Sequence, residues 1–531
     1  MSLKKTTMQE KRHIKLLDST LRDGAQGEGV SFSLQDKVNI AQTLDEFGID
    51  YIEGGNPGSN PKDMEFFRHV RNMRWKHARL CAFGATRRGG VSVEADENLQ
   101  ALLAAETPCV VVFGKSSMAQ VEGVLRVSAE ENLAMISETV AFFKKHGREV
   151  LFDAEHFFDG YAEDSAYALK TLEAAMTAGA DSVTLCDTRG GSAPMEVRQI
   201  SETVVKRYPK MIFGVHCHND IGCAVADSML AVDAGVRLVQ GTFLGCGERC
   251  GNADLSILIP NLILKKNCVC GVERLDKLMD VSLRLAEILN MTIPSGKPYI
   301  GRSAFAHKGG MHIDGVSKRP ESYEHVPPSV TGNRRRFLLS EMSGRTTILE
   351  KLKPYGPKFT KDSPEVAKIV ERLKELEHEG YQFEAADASL ELLIRRELGL
   401  HHPHFELVLY KTTGEFPSPD GRAQCSAMIE IKVENQTEVT AALGNGPVHA
   451  LDQALRKALT VFYPALSTAQ LTDFKVRVID TEAATAARVR VLIESSDGAH
   501  VWTTIGVSSD IVEASWKALV DSIEYKLDVL C

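Results

Sequence analysis

Residues 109–115 read Cys109-Val110-Val111-Val112-Phe113-Gly114-Lys115, apolar through the middle and polar at the C-terminal end. A strand that is apolar without alternation has both faces covered, which is the signature of a parallel sheet. Similar runs, such as Leu238-Val239, recur about every 30 residues on either side of it, each joined to a longer amphipathic stretch. The predicted strands cover residues 13–22, 50–56, 78–85, 109–115, 149–155, 181–187, 211–218 and 238–244. Eight βα units in about 240 residues match a TIM (β/α)8 barrel in number and size. An open doubly wound sheet fits less well, because the G-x-G-x-x-G turn expected after its first strand is missing.

Beyond Pro260 the texture changes. Helical patterns at 275–289, 364–378 and 389–398 flank a polar stretch, 297–340, rich in Gly, His and Arg. After His401-His402-Pro403 alternating strands are predicted at 405–411, 423–433, 474–478 and 487–495, with two helices. Ala454-Leu455-Arg456-Lys457-Ala458-Leu459 is echoed by Ala514-Ser515-Trp516-Lys517-Ala518-Leu519, which points to a duplicated strand-strand-helix unit. The expected organisation is a barrel at 1–270, a helical linker region at 271–401 and an α+β domain at 402–531. That last part has no catalytic constellation of its own.

Of the 531 residues, 44% are apolar and 25% charged, an ordinary globular composition. The net charge of −9 is spread without a basic stripe, which argues against nucleic acid or an anionic membrane as partner. No apolar run approaches the roughly 20 residues that cross a bilayer, and residues 1–15 carry no apolar signal core, so a cytoplasmic location is expected. The 11 cysteines stand in apolar contexts such as Leu80-Cys81-Ala82, as buried free thiols of a reducing compartment do.

In a barrel of this kind chemistry gathers at the C-terminal ends of the strands. Those ends are dense in polar groups: Arg22-Asp23-Gly24-Ala25-Gln26 after the first strand, Asp153-Ala154-Glu155-His156 after the fifth, Asp187-Thr188 after the sixth and His216-Cys217-His218-Asn219-Asp220 after the seventh. Alternation puts His216 and His218 on one side, as a chelating pair requires. A lone H-x-H is more often packing; here its position, with Asp23 able to reach across a closed barrel, points to a facial two-histidine, one-carboxylate set. Asp220 reads as the cap of the next helix, and Asp187 as a hydrogen-bond partner for backbone at its strand end. In Gly245-Cys246-Gly247-Glu248-Arg249-Cys250-Gly251-Asn252 glycines let backbone approach a ligand, and Asn252 could reach a metal or its water. Cys246 and Cys250 lack a paired base and read as packing, as does the pair Cys268 and Cys270. His307 and His312 read, on composition alone, as exposed loop residues.

Leu21-Arg22-Asp23-Gly24-Ala25-Gln26, His216 to Gly222 and Gly245 to Asn252 together resemble the 2-isopropylmalate, homocitrate and citramalate synthase family. Ser343-Gly344-Arg345 and Gly444-Asn445-Gly446-Pro447-Val448 extend the resemblance over almost the whole chain. Ala25 departs from the commonest form of the pattern, which has Glu there. The resemblance implies an acyltransferase that joins acetyl-coenzyme A to a 2-oxo acid. Asp23, His216 and His218 would hold a divalent cation (Mn2+, Mg2+ or Zn2+) with Asn252 close by. Arg22 would stabilise the alkoxide, Gln26 would join Arg22 and Thr188 in binding the substrate, with Thr188 on its carboxylate, and Glu155 would lie beside the reacting methyl. His307 and Tyr323 would assist proton transfer from the linker. The resemblance further implies a homodimer with a C-terminal regulatory domain. Tyr51-Ile52-Glu53-Gly54-Gly55-Asn56-Pro57-Gly58-Ser59-Asn60 resembles the (R)-citramalate subgroup, which implies pyruvate as substrate, isoleucine biosynthesis and isoleucine as feedback effector. The alternative is an isopropylmalate synthase using 2-oxoisovalerate. A related lyase or aldolase fits less well, because Gly247-Glu248-Arg249 follows the synthase pattern.

Overall fold

The computed structural model describes residues 11–338, 345–356, 359–360, 362–415, 424–479, 487–498 and 500–530. They divide into two compact units, one of residues up to 305 together with 326–335, the other of 306–325 and 336 onward. Ser343 and Gly344 lie outside the described residues.

In the first unit eight strands, β1 Lys15–Asp18, β2 Tyr51–Gly55, β3 Arg79–Ala85, β4 Cys109–Lys115, β5 Glu149–Glu155, β6 Ser182–Asp187, β7 Phe213–Cys217 and β8 Leu238–Gly241, close into a barrel in sequence order. Every neighbouring pair is parallel, and β8 returns to β1 with Lys15 opposite Leu238. The unbroken apolar runs have a simple cause. Val110 and Val112 of β4 pack outward against the helices, while Cys109 and Val111 pack inward with Leu17, Tyr51, Cys81, Leu151 and Leu238. Both faces are therefore dry.

β1 is shorter than the predicted 13–22. Arg12–His13 pair instead with Cys268–Val269, and residues 24–26 form a tight helical turn. β7 and β8 also stop earlier than predicted, at Cys217 and Gly241. Helix α1, Leu34–Phe47, begins at a reciprocal Ser33–Asp36 cap and ends at Gly48, whose φ of +101° and closeness to Gly271 leave no room for a side chain.

The second unit carries helices α2 Gly310–Lys318, α3 Pro364–His378 and α4 Asp387–Glu397 and two three-stranded antiparallel sheets. One sheet is β9 Glu406–Glu415, β10 Gln424–Val433 and β11 Gln436–Gly444, backed by α5 Pro447–Thr460; the other is β12 Gln470–Val478, β13 Val489–Ser496 and β14 Val501–Ser508, backed by α6 Ile511–Val529. The duplicated unit thus has three strands, not two. Sequence patterning misses β11 and β14; in β11 the alternating Val439, Ala441 and Leu443 lie on the exposed face and only Thr440 is buried. The repeat is also shifted by one helical turn from its sequence echo. Thr440 Oγ1 donates to Ala454 O at 2.9 Å and Thr504 Oγ1 to Ala518 O at 2.7 Å, so Ala454 corresponds to Ala518.

Among the described residues no helix is long and apolar enough to cross a membrane. The ten described cysteines are all free, and Cys270 is half-buried whereas Cys268 is buried.

Candidate active site

Strand alternation builds the site. Two residues beyond the inward-facing Leu17, Tyr51, Cys81, Val111, Leu151 and Leu238 stand Ser19, Glu53, Phe83, Phe113, Asp153 and Gln240. The apolar floor of the barrel therefore gives way, one pleat higher, to a polar layer. A cavity of about 260 Å³ opens above it, lined by Arg22, Asp23, Gln26, Phe83, Phe113, Asp153, Glu155, Cys186, Thr188, His216, His218, Glu248 and Arg249.

His218 lies just past β7, yet both imidazoles turn the same way, with Nε2 atoms 3.4 Å apart. Asp23 Oδ2 reaches them at 3.4 Å (His216) and 3.9 Å (His218). All three residues are buried, and their donor atoms lie within 4.8 Å of one another. Burial, then the neighbouring His216, pull the His218 pKa down to about 4, so the ring is neutral at physiological pH. In Asp23 burial acts upward but is overcome, first by the Arg22 guanidinium and then by His216, so the carboxyl stays well below the usual range. In His216 burial acts downward but is outweighed by the facing Asp23 carboxylate, and the pKa rises. One carboxylate and two imidazoles with open positions beside them fit a divalent cation. The surroundings agree. Asn252, which pairs by backbone with His218, has a buried Oδ1 without a hydrogen-bond partner among the described residues, an arrangement costing about 1–3 kcal/mol unless something takes up the oxygen.

Arg22 is held on three sides. Nε donates to Glu53 Oε2 at 2.6 Å, Nη1 lies 3.2 Å from Asp23 Oδ2, and the guanidinium carbon stacks 3.7 Å from the Phe83 ring centre. Glu53 is completely buried and also accepts from the Ser19 hydroxyl. Phe83 in turn stacks on Phe113, ring centres 5.0 Å apart. Glu155 pairs with Lys115 Nζ at 2.6 Å, and Thr188 Oγ1 accepts from His156 N at 2.8 Å, which leaves its hydroxyl hydrogen for a ligand. Burial, then Glu53, raise Asp153 to about 6.

Asp220 is not a helix cap. It holds Arg249 Nε at 2.8 Å, and Arg249 Nη2 donates to Thr188 O at 2.9 Å, so the loop after β8 is tied across the ends of β6 and β7. Asp187 accepts from the backbone and hydroxyl of Ser192. Burial pushes the Cys246 thiol up to about 12, which suits packing and not nucleophilic attack. Cys250 is exposed, so packing does not account for it.

Arg22, Asp23, Gln26, Glu155, Thr188, His216 and His218 thus share one cavity. His307 and Tyr323 belong to the second unit. There His307 is not an exposed loop residue: it is paired in a short strand and lies 3.1 Å from Glu324 Oε1. His312 lies on α2, stacked 4.3 Å from the Tyr323 ring. Sequence reading did not single out Glu53, Phe83, Phe113 or Gln240 as site residues. Their signal was available: each stands two positions beyond an inward-facing apolar residue.

Family comparison agrees with this architecture. The HMGL-like family pattern matches residues 13–291, the homocitrate synthase post-HMGL domain-like pattern 299–381 and the LeuA allosteric (dimerisation) domain 384–527. The chain is 51% identical over 521 residues to the (R)-citramalate synthase of Aquifex aeolicus, covering 98% of each chain. It is 48% identical to that of Geobacter sulfurreducens, covering 97% of each. Similarity to the probable 2-isopropylmalate synthase of Methanopyrus kandleri is lower, 33% over 96% of this chain and 97% of that one. The chain therefore belongs to the 2-isopropylmalate, homocitrate and citramalate synthase family, on its (R)-citramalate synthase branch.

Proposed function

We propose that this protein condenses the methyl carbon of acetyl-coenzyme A with the ketone of pyruvate and hydrolyses the thioester, giving (R)-citramalate and coenzyme A. The observation that carries the reading is the convergence of Asp23, His216, His218 and Arg22 on one cavity in a chain so close to citramalate synthases. A divalent cation held by Asp23, His216 and His218, with Asn252 nearby, would polarise the ketone as a Lewis acid. Arg22, aligned by Glu53, Asp23 and Phe83, would bring its guanidinium charge to where alkoxide charge develops. Thr188 offers its hydroxyl hydrogen to the substrate carboxylate, with Gln26 at the cavity's edge. A thioester methyl is a weak acid, so a positioned base is required; Glu155 on its Lys115 partner stands at the rim for that end of the reaction, with His307 and Tyr323 assisting proton transfer. A second cavity of about 370 Å³ shares Arg22, Gln26 and Phe83 and gives room for the thioester's long arm. A thiol-release assay with acetyl-coenzyme A and each 2-oxo acid tests the whole reading. Preference for 2-oxoisovalerate overturns the choice of substrate, and no release with any 2-oxo acid removes the synthase.

We read the stacked Phe83 and Phe113, which line the cavity, as a size filter that favours pyruvate over a longer 2-oxo acid. Phe113→Ala is the cleaner probe, since Phe83 also supports Arg22. It is expected to shift the kcat/KM ratio toward 2-oxoisovalerate by about 10-fold or more, the scale for methylene-sized increments in an apolar pocket. An unchanged ratio in an active variant counts against these rings as the size filter.

The C-terminal domain is read as a homodimerisation and effector domain that binds isoleucine, the end product expected of a pathway through citramalate. The N-terminus of α5, entered through Gly444 to Pro447, presents backbone N–H groups suited to a carboxylate. Cutting the chain near His401 is expected to abolish isoleucine inhibition and to lower basal activity as well. Equal inhibition of full-length and truncated protein would place the effector elsewhere, and inhibition by leucine alone would point back to isopropylmalate.

A further inference from the structure

Gln240 lies in the polar layer of the barrel, two residues beyond Leu238, and is completely buried. Its amide is fully engaged. Nε2 donates to Asp153 Oδ1 at 2.8 Å and to Thr184 Oγ1 at 3.0 Å, while Oε1 stands 2.9 Å from His216 Nδ1. The opposite amide orientation would set the carbonyl oxygen against the Asp153 carboxylate, two acceptors at hydrogen-bond distance, so the carboxylate fixes which way the amide faces. An amide oxygen carries no proton. The contact with His216 is therefore a hydrogen bond only when Nδ1 carries the hydrogen, and a neutral ring in that form has its lone pair on Nε2. Nε2 is the atom that faces Asp23 at 3.4 Å and His218 at 3.4 Å.

We infer that Gln240 is a positioning residue: it holds His216 in its Nδ1–H tautomer, so that the Nε2 lone pair is aimed between Asp23 and His218. The inference rests on reading those three residues as metal ligands. Asp153 and Thr184 extend the chain one step further, because they orient the amide that orients the ring. Groups that fix a ligating histidine in this way usually matter 10–100-fold in metal affinity.

The test uses the full-length protein, stripped with a chelator and titrated calorimetrically with Mn2+ alone. Gln240→Met conserves volume but offers Nδ1–H no acceptor, and its affinity is expected to fall about 10–100-fold with the melting temperature of the metal-free protein little changed. Gln240→Glu combined with Asp153→Asn keeps an acceptor oxygen toward His216 while the new amide donates to the new carboxylate, and this pair is expected to restore affinity to near the wild-type value. A folded Gln240→Met that binds Mn2+ like wild type overturns the inference, as does equal weakening in both variants, since that would mark a merely structural role. If Gln240→Met does not fold, the 15N spectrum of histidine-labelled, metal-free wild type decides, with the His216 signal identified by its loss in His216→Asn. A proton on Nδ1 of the neutral ring, read at a pH above the ring's titration, supports the assignment, and a proton on Nε2 alone overturns it. That spectrum reads the tautomer whether or not Mn2+ binds, so failure of the metal-site reading is separable from failure of this one.

Discussion

Removing divalent metal from the purified protein is expected to lower thiol release from acetyl-coenzyme A and pyruvate by about 1,000-fold or more, with recovery on adding back Mn2+. The magnitude follows from the several kcal/mol that a Lewis acid contributes to an oxyanion-like transition state, at about 1.4 kcal/mol per factor of ten. The same site predicts the behaviour of His218→Ala. His218 stands at the rim, one residue past β7, and its ring faces the cavity and not the apolar floor of the barrel. The variant should therefore keep its melting transition while calorimetric Mn2+ affinity drops. Full turnover in protein whose metal content has been verified as negligible, or undiminished affinity in His218→Ala, would remove Asp23, His216 and His218 as the metal-holding set.

Arg22→Lys is expected to lower kcat about 100- to 1,000-fold, the usual loss when one preorganised charge-stabilising donor is removed. Retaining the positive charge does not retain the function, because three separate contacts define where the guanidinium points: Glu53 at Nε, Asp23 at Nη1 and the Phe83 ring against the plane. An ammonium can neither fork nor stack in this way. The loss should fall mainly on kcat, with a smaller change in KM for pyruvate, since the charge that Arg22 meets is greatest in the transition state. A Lys variant that keeps more than about a tenth of wild-type kcat would show that charge alone is what this position supplies. Glu53→Gln probes the same alignment indirectly and should cost less, because it leaves the guanidinium in place.

Much of this molecule was legible before any coordinates. The eight strands were readable because each is covered on both faces, which forces near-continuous apolar runs such as Val110 to Phe113. Position at the strand ends then raised His216 and His218 above the many histidine pairs that only pack. The C-terminal domain was less transparent for a related reason. β11 buries only Thr440 and is held by pairing with β10 and a hydrogen bond to Ala454, while its alternating Val439, Ala441 and Leu443 face away from the domain's core, so its apolar period does not mark a buried face.

The sequence by itself determined the barrel, its order of strands and the kinds of group gathered at its C-terminal rim, because hydrophobic periodicity and strand alternation are local properties that survive without knowledge of neighbours. Only the tertiary structure decided what those groups do to one another. That Asp220 holds Arg249 instead of capping a helix depends on a pairing between residues far apart in the chain. So does the buried path from Thr184 and Asp153 through Gln240 to His216, whose parts come from β5, β6, β7 and β8. Closing the barrel brings those strands into one interior. Once there, a buried donor or acceptor must find its partner across the barrel or bear the cost of desolvation.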